Sequence, residues 1–245
     1  MTLFLASVRD ETETEIALLS RADIVDLKDP GQGALGAVDL ETTRRVVDFV
    51  VGRVPISATI GDLPMQPQAI CDAVIKRAAC GVDYVKFGLF QGGDPRGCFE
   101  VLRAIAGRVR LIVVLFADLL AAFDAVYAAA DMGAAGIMLD TADKRAGSLL
   151  AHIDRRDIAR FVYQAKDNGL MVGLAGSLEV ADIPELLALS PDLLGFRGAL
   201  CCGSRSASLD PASCAAIRAL IPQRGPTAET KPRSTMSEAA AQALC

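Results

Sequence analysis

The sequence predicts an α/β fold, a single (β/α)8 TIM barrel, on three observations. β-prone runs alternate with helical runs eight times between Leu3 and Ile221, and that alternation predicts a parallel sheet closed into a barrel. Arg110 to Ala117 is almost pure Leu, Ile and Val, as expected of a strand covered on both faces. No G-x-G-x-x-G fingerprint follows the first strand, which disfavours a doubly wound open sheet. Residues 1–222 are assigned to this one catalytic barrel. Residues 223–245, rich in Pro, Thr, Ser and Ala, are expected to form a disordered tail or a weak helix outside it.

Leu3 to Val8 reads as the first strand and Glu11 to Arg21 as the first helix. The second strand, Ile24 to Lys28, runs into a glycine-rich loop from Gly31 to Gly36, and Asp39 caps a helix from Leu40 to about Val51. Pro55 to Ile60 is the third strand, followed by a helix from Met65 to Cys80 that Gly81 closes. Val82 to Gly88 and Arg96 to Arg108 form the fourth unit, and Arg110 to Ala117 and Leu119 to Met132 the fifth, ended by Gly133. Ala135 to Asp140 is the sixth strand, with Thr141 to Gly147 as its loop and Asp154 to Asn168 as its helix. Leu170 to Ala175 opens onto Gly176-Ser177 and a short helix from Ile183 to Leu189. Leu193 to Phe196 exits at Arg197-Gly198, and Asp210-Pro211 starts a final helix with Asp as N-cap and Pro at N1.

The composition narrows the function. Hydrophobic residues make up 52%, aromatics only 5%, and there is no Trp, so aliphatic side chains fill the core. A net charge of −5 argues against a sequence-independent nucleic-acid binder, which needs a positive field. The seven cysteines include no C-x-x-C pair, so reduced thiols are expected rather than disulfides, and Cys201-Cys202 reads as strand-end packing. No two-His or His/Cys cluster exists, so neither a metal nor another cofactor is expected, and His152, the one histidine, is expected at the surface. With no signal-peptide pattern and no membrane-length apolar run, a cytoplasmic protein is expected.

Barrel active sites lie at the carboxyl ends of the strands. Asp26 and Lys28 share one face of strand two, because alternate side chains point the same way, while Val25 and Leu27 share the other. Lys86 ends strand four, Asp140 ends strand six and Lys144 lies just beyond it, whereas Lys76 and Lys166 fall on helices. Three lysines and two carboxylates should therefore meet at one mouth. Crowded, partly buried amines favour the neutral form, so one can attack a carbonyl and form a Schiff base. Loops after strands seven and eight commonly cradle phosphate, and here they offer Gly176, Ser177, Arg197 and Gly198. Asp62 and Asp118 either shape the mouth or cap the next helix.

The segments Asp26-Leu27-Lys28-Asp29-Pro30-Gly31-Gln32-Gly33-Ala34-Leu35-Gly36, Tyr84 to Leu89, Met138 to Thr141 with Lys144, Gly173 to Leu178 and Gly195 to Gly198 resemble the (5-formylfuran-3-yl)methyl phosphate synthase family. The resemblance covers about residues 2–221. It implies condensation of two glyceraldehyde 3-phosphate molecules, with loss of phosphate and water, into 4-(hydroxymethyl)-2-furancarboxaldehyde phosphate, for methanofuran or methylofuran biosynthesis. It further implies Lys28 as Schiff-base lysine and Lys86 as proton acceptor. Asp26 would tune Lys28, with Asp140 and Lys144 completing the site. The expected partner is this small molecule, with no nucleic acid or membrane, in a homo-oligomer. A second phosphate would be held by Arg9 with the Gly31–Gly36 loop. The competing functions are a Schiff-base aldolase of the deoxyribose-phosphate or transaldolase kind and a non-catalytic phosphate-binding barrel.

Overall fold

The computed structural model describes residues 1–119 and 124–223. Eight strands, β1 (Leu3–Val8), β2 (Ile24–Leu27), β3 (Ile56–Thr59), β4 (Tyr84–Gly88), β5 (Leu111–Phe116), β6 (Gly136–Asp140), β7 (Met171–Leu174) and β8 (Leu193–Phe196), close in sequence order into a barrel. β1 pairs in parallel with both β2 and β8, so the sheet has no free edge. Between and after the strands run α1 (Glu11–Leu19), α2 (Leu40–Val50), α3 (Pro67–Ala78), α4 (Pro95–Arg103), α5 (Ala125–Met132), α6 (Leu149–His152), α7 (Arg155–Asp167), α8 (Ile183–Ala188) and α9 (Pro211–Leu220).

The expected units all form, with shorter helices. α1 stops at Leu19 rather than Arg21, and α4 at Arg103 rather than Arg108. Of the helix expected from Leu119 to Met132, residues 120–123 lie outside the described residues, Leu119 ends a 3-10 turn begun at Ala117, and Ala125–Met132 form α5. An unforeseen short helix, α6, precedes α7 and ends at His152, which is half-buried rather than at the surface. The tail expected from 223 onward lies outside the described residues except for Gln223. α1, α2, α4, α7 and α9 each begin at an Asp (Asp10, Asp39, Asp94, Asp154 and Asp210) whose carboxylate accepts a first-turn N–H. Each cap contributes about 1 kcal/mol.

The period-2 alternation of the strands divides the core into two shells. Outward-facing Phe4, Val25, Leu27, Val85, Phe87, Val113 and Leu139 pack with the helices. Inward-facing Leu5, Ile24, Ile112, Val114, Met138 and Leu193 fill the barrel. Among the described residues the interior changes character at its carboxyl end, where Ser7, Asp26, Ser57, Lys86 and Asp140 are all buried.

Two carboxylates fasten the loops around that mouth. Asp62, just after β3, accepts from the N–H groups of Ala34 and Leu35, each at 2.7 Å. Asp118, just after β5, accepts from Ala142 at 2.7 Å and Asp143 at 2.6 Å. Of the two roles expected for these residues, mouth-shaping is the one they fill. The Asp62 clasp folds the glycine-rich loop so that Leu35 enters the barrel and packs in the interior cluster. Gly36 is required there, because a Cβ would sit 2.1 Å from the Asp29 carbonyl oxygen. Asp62→Ala is expected to lower stability in urea titration by about 2 kcal/mol, the loss of two hydrogen bonds to a charged acceptor. An unchanged midpoint would show that the loop seats itself without the clasp.

Candidate active site

Strand register builds the polar end of the barrel. Ser7, Asp26 and Ser57 are cross-strand partners on β1, β2 and β3, so they form one inward-facing row. Asp26 accepts from Ser57 Oγ at 2.6 Å and Ser7 Oγ at 3.0 Å. Lys86, near the end of β4, places its amine 2.5 Å from Asp26 Oδ1. Asp26 is thus the partner of Lys86 and not of its own neighbour Lys28. Lys28 instead reaches across the mouth, its Nζ 3.2 Å from Asp140 Oδ2 on β6. β2 and β6 are four strands apart in the closed ring, so this ion pair spans the barrel. Lys144 pairs with the other oxygen of Asp140, which also accepts from the Thr141 N–H at 2.8 Å.

All five residues expected to carry the chemistry therefore line one cavity of about 710 Å³. Burial pushes the Lys86 amine below the ordinary lysine range; the Asp26 charge opposes this and the Lys28 charge adds to it. Burial likewise brings Lys144 down to about 8, against the pull of Asp140. Asp140 itself is buried, which would raise it, but Lys144 and Lys28 hold it well below the usual carboxylate range. An amine titrating near 8 is about one-tenth neutral at pH 7, against less than about a thousandth for an ordinary lysine. The mouth can therefore present nucleophilic or basic amines beside protonated ones.

The expected phosphate residues divide into two groups. Gly176, Ser177 and Gly198 line the same cavity. Gly176 has φ +105°, and a Cβ there would lie 2.9 Å from the Thr141 nitrogen, so only glycine lets the β6 and β7 loops approach this closely. Ser177 Oγ donates to the Lys144 carbonyl at 3.0 Å and so steadies the loop that carries that lysine.

Arg197 also borders the cavity, but its guanidinium is already committed. It meets Glu13 at 2.5 and 3.1 Å and donates to the carbonyls of Ser7, Arg205 and Ala207. Burial would raise Glu13, but hydrogen bonds from Arg197 and Arg9 hold it below the ordinary carboxylate range. The expectation that Arg197 grips phosphate is corrected on this ground, since every one of its N–H directions has a protein acceptor.

The second phosphate site expected at Arg9 and Gly31–Gly36 does not assemble at this cavity. Arg9 turns its guanidinium to Glu13 and the Ser206 carbonyl and is not in the cavity lining, to which the loop lends only Leu35. Sequence reasoning passed over Arg205, half-buried at the cavity wall. Its one sequence signal is its place in the loop after strand eight, a phosphate-binding loop in many barrels.

The surface lysines behave as expected, with Lys76 and Lys166 exposed on α3 and α7. Among the described residues there is no cluster of His, Cys, Asp and Glu able to hold a metal ion, and no helix is long and apolar enough to cross a membrane.

A sequence-family profile for 4-HFC-P synthase matches residues 4–218. A Methylorubrum extorquens relative is 42% identical over 227 residues, spanning 92% of this chain and 93% of its own. The (5-formylfuran-3-yl)methyl phosphate synthases of Methanosarcina mazei and Archaeoglobus fulgidus are each 34% identical, covering 85% and 84% of this chain and 94% and 93% of theirs. Among solved structures, Thermus thermophilus phosphoribosyl anthranilate isomerase aligns with a TM-score of 0.64 at 16% identity, covering 90% of this chain and 98% of its own. A 3-hexulose-6-phosphate synthase aligns at 0.61 and 18% identity, covering 91% and 100%. These two likenesses establish the barrel alone.

The Asp140 charge favours the ammonium form of Lys144, so Asp140→Asn is expected to move the Lys144 titration below 8. Acetic anhydride labelling across pH, read by peptide mass spectrometry, measures this. A midpoint that stays at 8 would mean the ion pair does not govern the amine.

Proposed function

Because the chain belongs to the 4-HFC-P synthase family, we propose that it is a (5-formylfuran-3-yl)methyl phosphate synthase working through a lysine Schiff base. It joins two glyceraldehyde 3-phosphate molecules into 4-(hydroxymethyl)-2-furancarboxaldehyde phosphate, with loss of phosphate and water. The observation that carries this reading is the convergence of Lys28, Lys86 and Lys144 with Asp26 and Asp140 on one cavity. Amines held beside carboxylates in a partly dry site can form an imine and then move protons on its neighbouring carbons. In this reading the furan phosphate is a precursor in methanofuran or methylofuran biosynthesis.

Lys28 attacks the aldehyde of the first triose, and water leaves as the imine forms. The iminium carbon draws electrons, so the adjacent C–H becomes acidic. Lys86, its ammonium form disfavoured by burial, removes that proton, and the phosphate on the next carbon departs. The phosphate-free enol left on Lys28 bonds through its end carbon to the middle carbon of the second triose, whose carbonyl has moved there by proton transfer from C2 to C1. The second triose's freed terminal hydroxyl then closes the ring, and loss of two waters with hydrolysis of the imine gives the furan with its phosphate-bearing carbon at position 4. Asp26 orients Lys86, while Asp140 holds Lys28 and Lys144 on its two oxygens, leaving Lys144 placed to return protons to departing oxygens.

Incubation with glyceraldehyde 3-phosphate alone should yield a product absorbing in the near ultraviolet, as a furan aldehyde does and a simple aldol product does not. Borohydride should trap substrate on Lys28, and peptide mapping that places the adduct on another lysine would overturn the assignment. Lys86→Met should still trap the imine while product formation falls about 10²- to 10⁴-fold, the range for loss of a general base. Retained turnover in that variant would remove Lys86 from the proton path.

A further inference from the structure

The loop after β8 is held with unusual thoroughness. One buried carboxylate, Glu13, binds the guanidinium groups of both Arg9 and Arg197. Those two arginines in turn take three successive carbonyls of the loop. Arg197 donates to Arg205 at 2.9 Å and to Ala207 at 2.8 Å, and Arg9 donates to Ser206 at 3.0 Å. A bridge between Cys201 and Leu209 closes the loop at its base. These interactions fix the backbone at Arg205.

The Arg205 side chain has no such employment. Among the described residues it is half-buried on the cavity wall and makes no side-chain hydrogen bond or ion pair. Its guanidinium nitrogens are not buried, so the five N–H groups stay open to the cavity and uncommitted to any protein acceptor. A side-chain carbon at Gly198 would lie 3.8 Å from the Arg205 Cβ, so the arginine stands over the glycine that opens the loop. Gly203, Gly176 and Ser177 border the same part of the cavity. The Arg205 charge also reaches Lys144. Glu179, an acidic residue on the rim, accepts from the backbone of its own turn.

From these contacts we propose that Arg205 anchors a phosphate monoester of the substrate, the role its neighbour Arg197 is too heavily bonded to fill. The fork of a guanidinium matches two phosphate oxygens. An anion seated there lies beside Gly198 and the Gly176-Ser177 turn, with its carbon chain directed down towards Lys144 and Lys28. This deepens the function proposed above and rests on it for the identity of the phosphate ester.

Glycerol 3-phosphate, which carries the phosphate but no carbonyl, is the probe, with inorganic phosphate in parallel to represent the released product. Calorimetric titration should show the wild-type protein binding the ester, and Arg205→Ala binding about 10- to 100-fold more weakly, the range for a lost charge-assisted pair. Arg205→Lys should recover part of that loss. Arg205→Ala should keep the wild-type circular dichroism spectrum and thermal unfolding midpoint, which shows the variant to be folded. Weakened binding of either phosphate compound supports the anchor, whereas unchanged affinity for both in the folded variant overturns it. Glycerol 3-phosphate binding that depends on Arg205, in a protein that makes no furan aldehyde, would refute the function and leave the anchor standing. Furan formation with an unchanged KM in Arg205→Ala would do the reverse.

Discussion

Asp140 accepting from Lys28 on one oxygen and Lys144 on the other is the interaction on which the mouth of this barrel depends. Buried charges persist only when paired and hydrogen-bonded, since an isolated one costs several kcal/mol. Lys28 comes from β2 and Asp140 from the far side of the ring, so their pairing draws opposite walls of the cavity to a common centre. The second pair, Lys86 with Asp26, is set by register, because Ser7 and Ser57 flank Asp26 on adjacent strands and supply its remaining donors. Three amines share two carboxylates, and burial then works against the ammonium forms of Lys86 and Lys144. Packing and reactivity come from one arrangement.

Carboxylates do most of the fastening elsewhere. Asp62 seats the loop after β2, Asp118 holds the loop after β6, and Glu13 joins two arginines to the loop after β8. The result is an asymmetric mouth. On the side of β2 to β5, Leu35, Phe90 and Phe116 pack as an apolar cluster beside the amines of Lys28 and Lys86. On the side of β6 to β8, Lys144, Gly176, Ser177, Gly198 and Arg205 leave it polar. A substrate with a charged end and a small carbon chain fits that division, the charge facing the glycine-rich turns and the carbons facing the amines.

Much of this was legible in the chain. Eight apolar runs separated by helical runs suffice for a parallel barrel, because strands covered on both faces need little besides Val, Leu and Ile. Asp39 and Asp210 announced helix starts through chemistry confined to three or four residues. The inward side of Asp26, Lys28, Lys86 and Asp140 followed from the period of a strand and the rule that barrel chemistry gathers at the carboxyl ends. Helix ends were less legible, as at α4, which stops at Arg103 although the helical pattern runs on to Arg108. Local propensity there yields to how the segment meets its neighbours.

The sequence by itself determined the fold, the five residues at the mouth and the loops bordering the cavity, because each rests on local periodicity or on position within a repeating unit. Only the tertiary structure decided who pairs with whom. Asp26 lies two residues from Lys28 but serves Lys86, and Arg197 is consumed by Glu13 from 184 residues away, while Arg205 is left with its fork unfilled. Hydrogen-bond capacity is finite and is shared out across space. Which arginine or lysine remains available is therefore a property of the closed barrel, and no segment of the chain contains it.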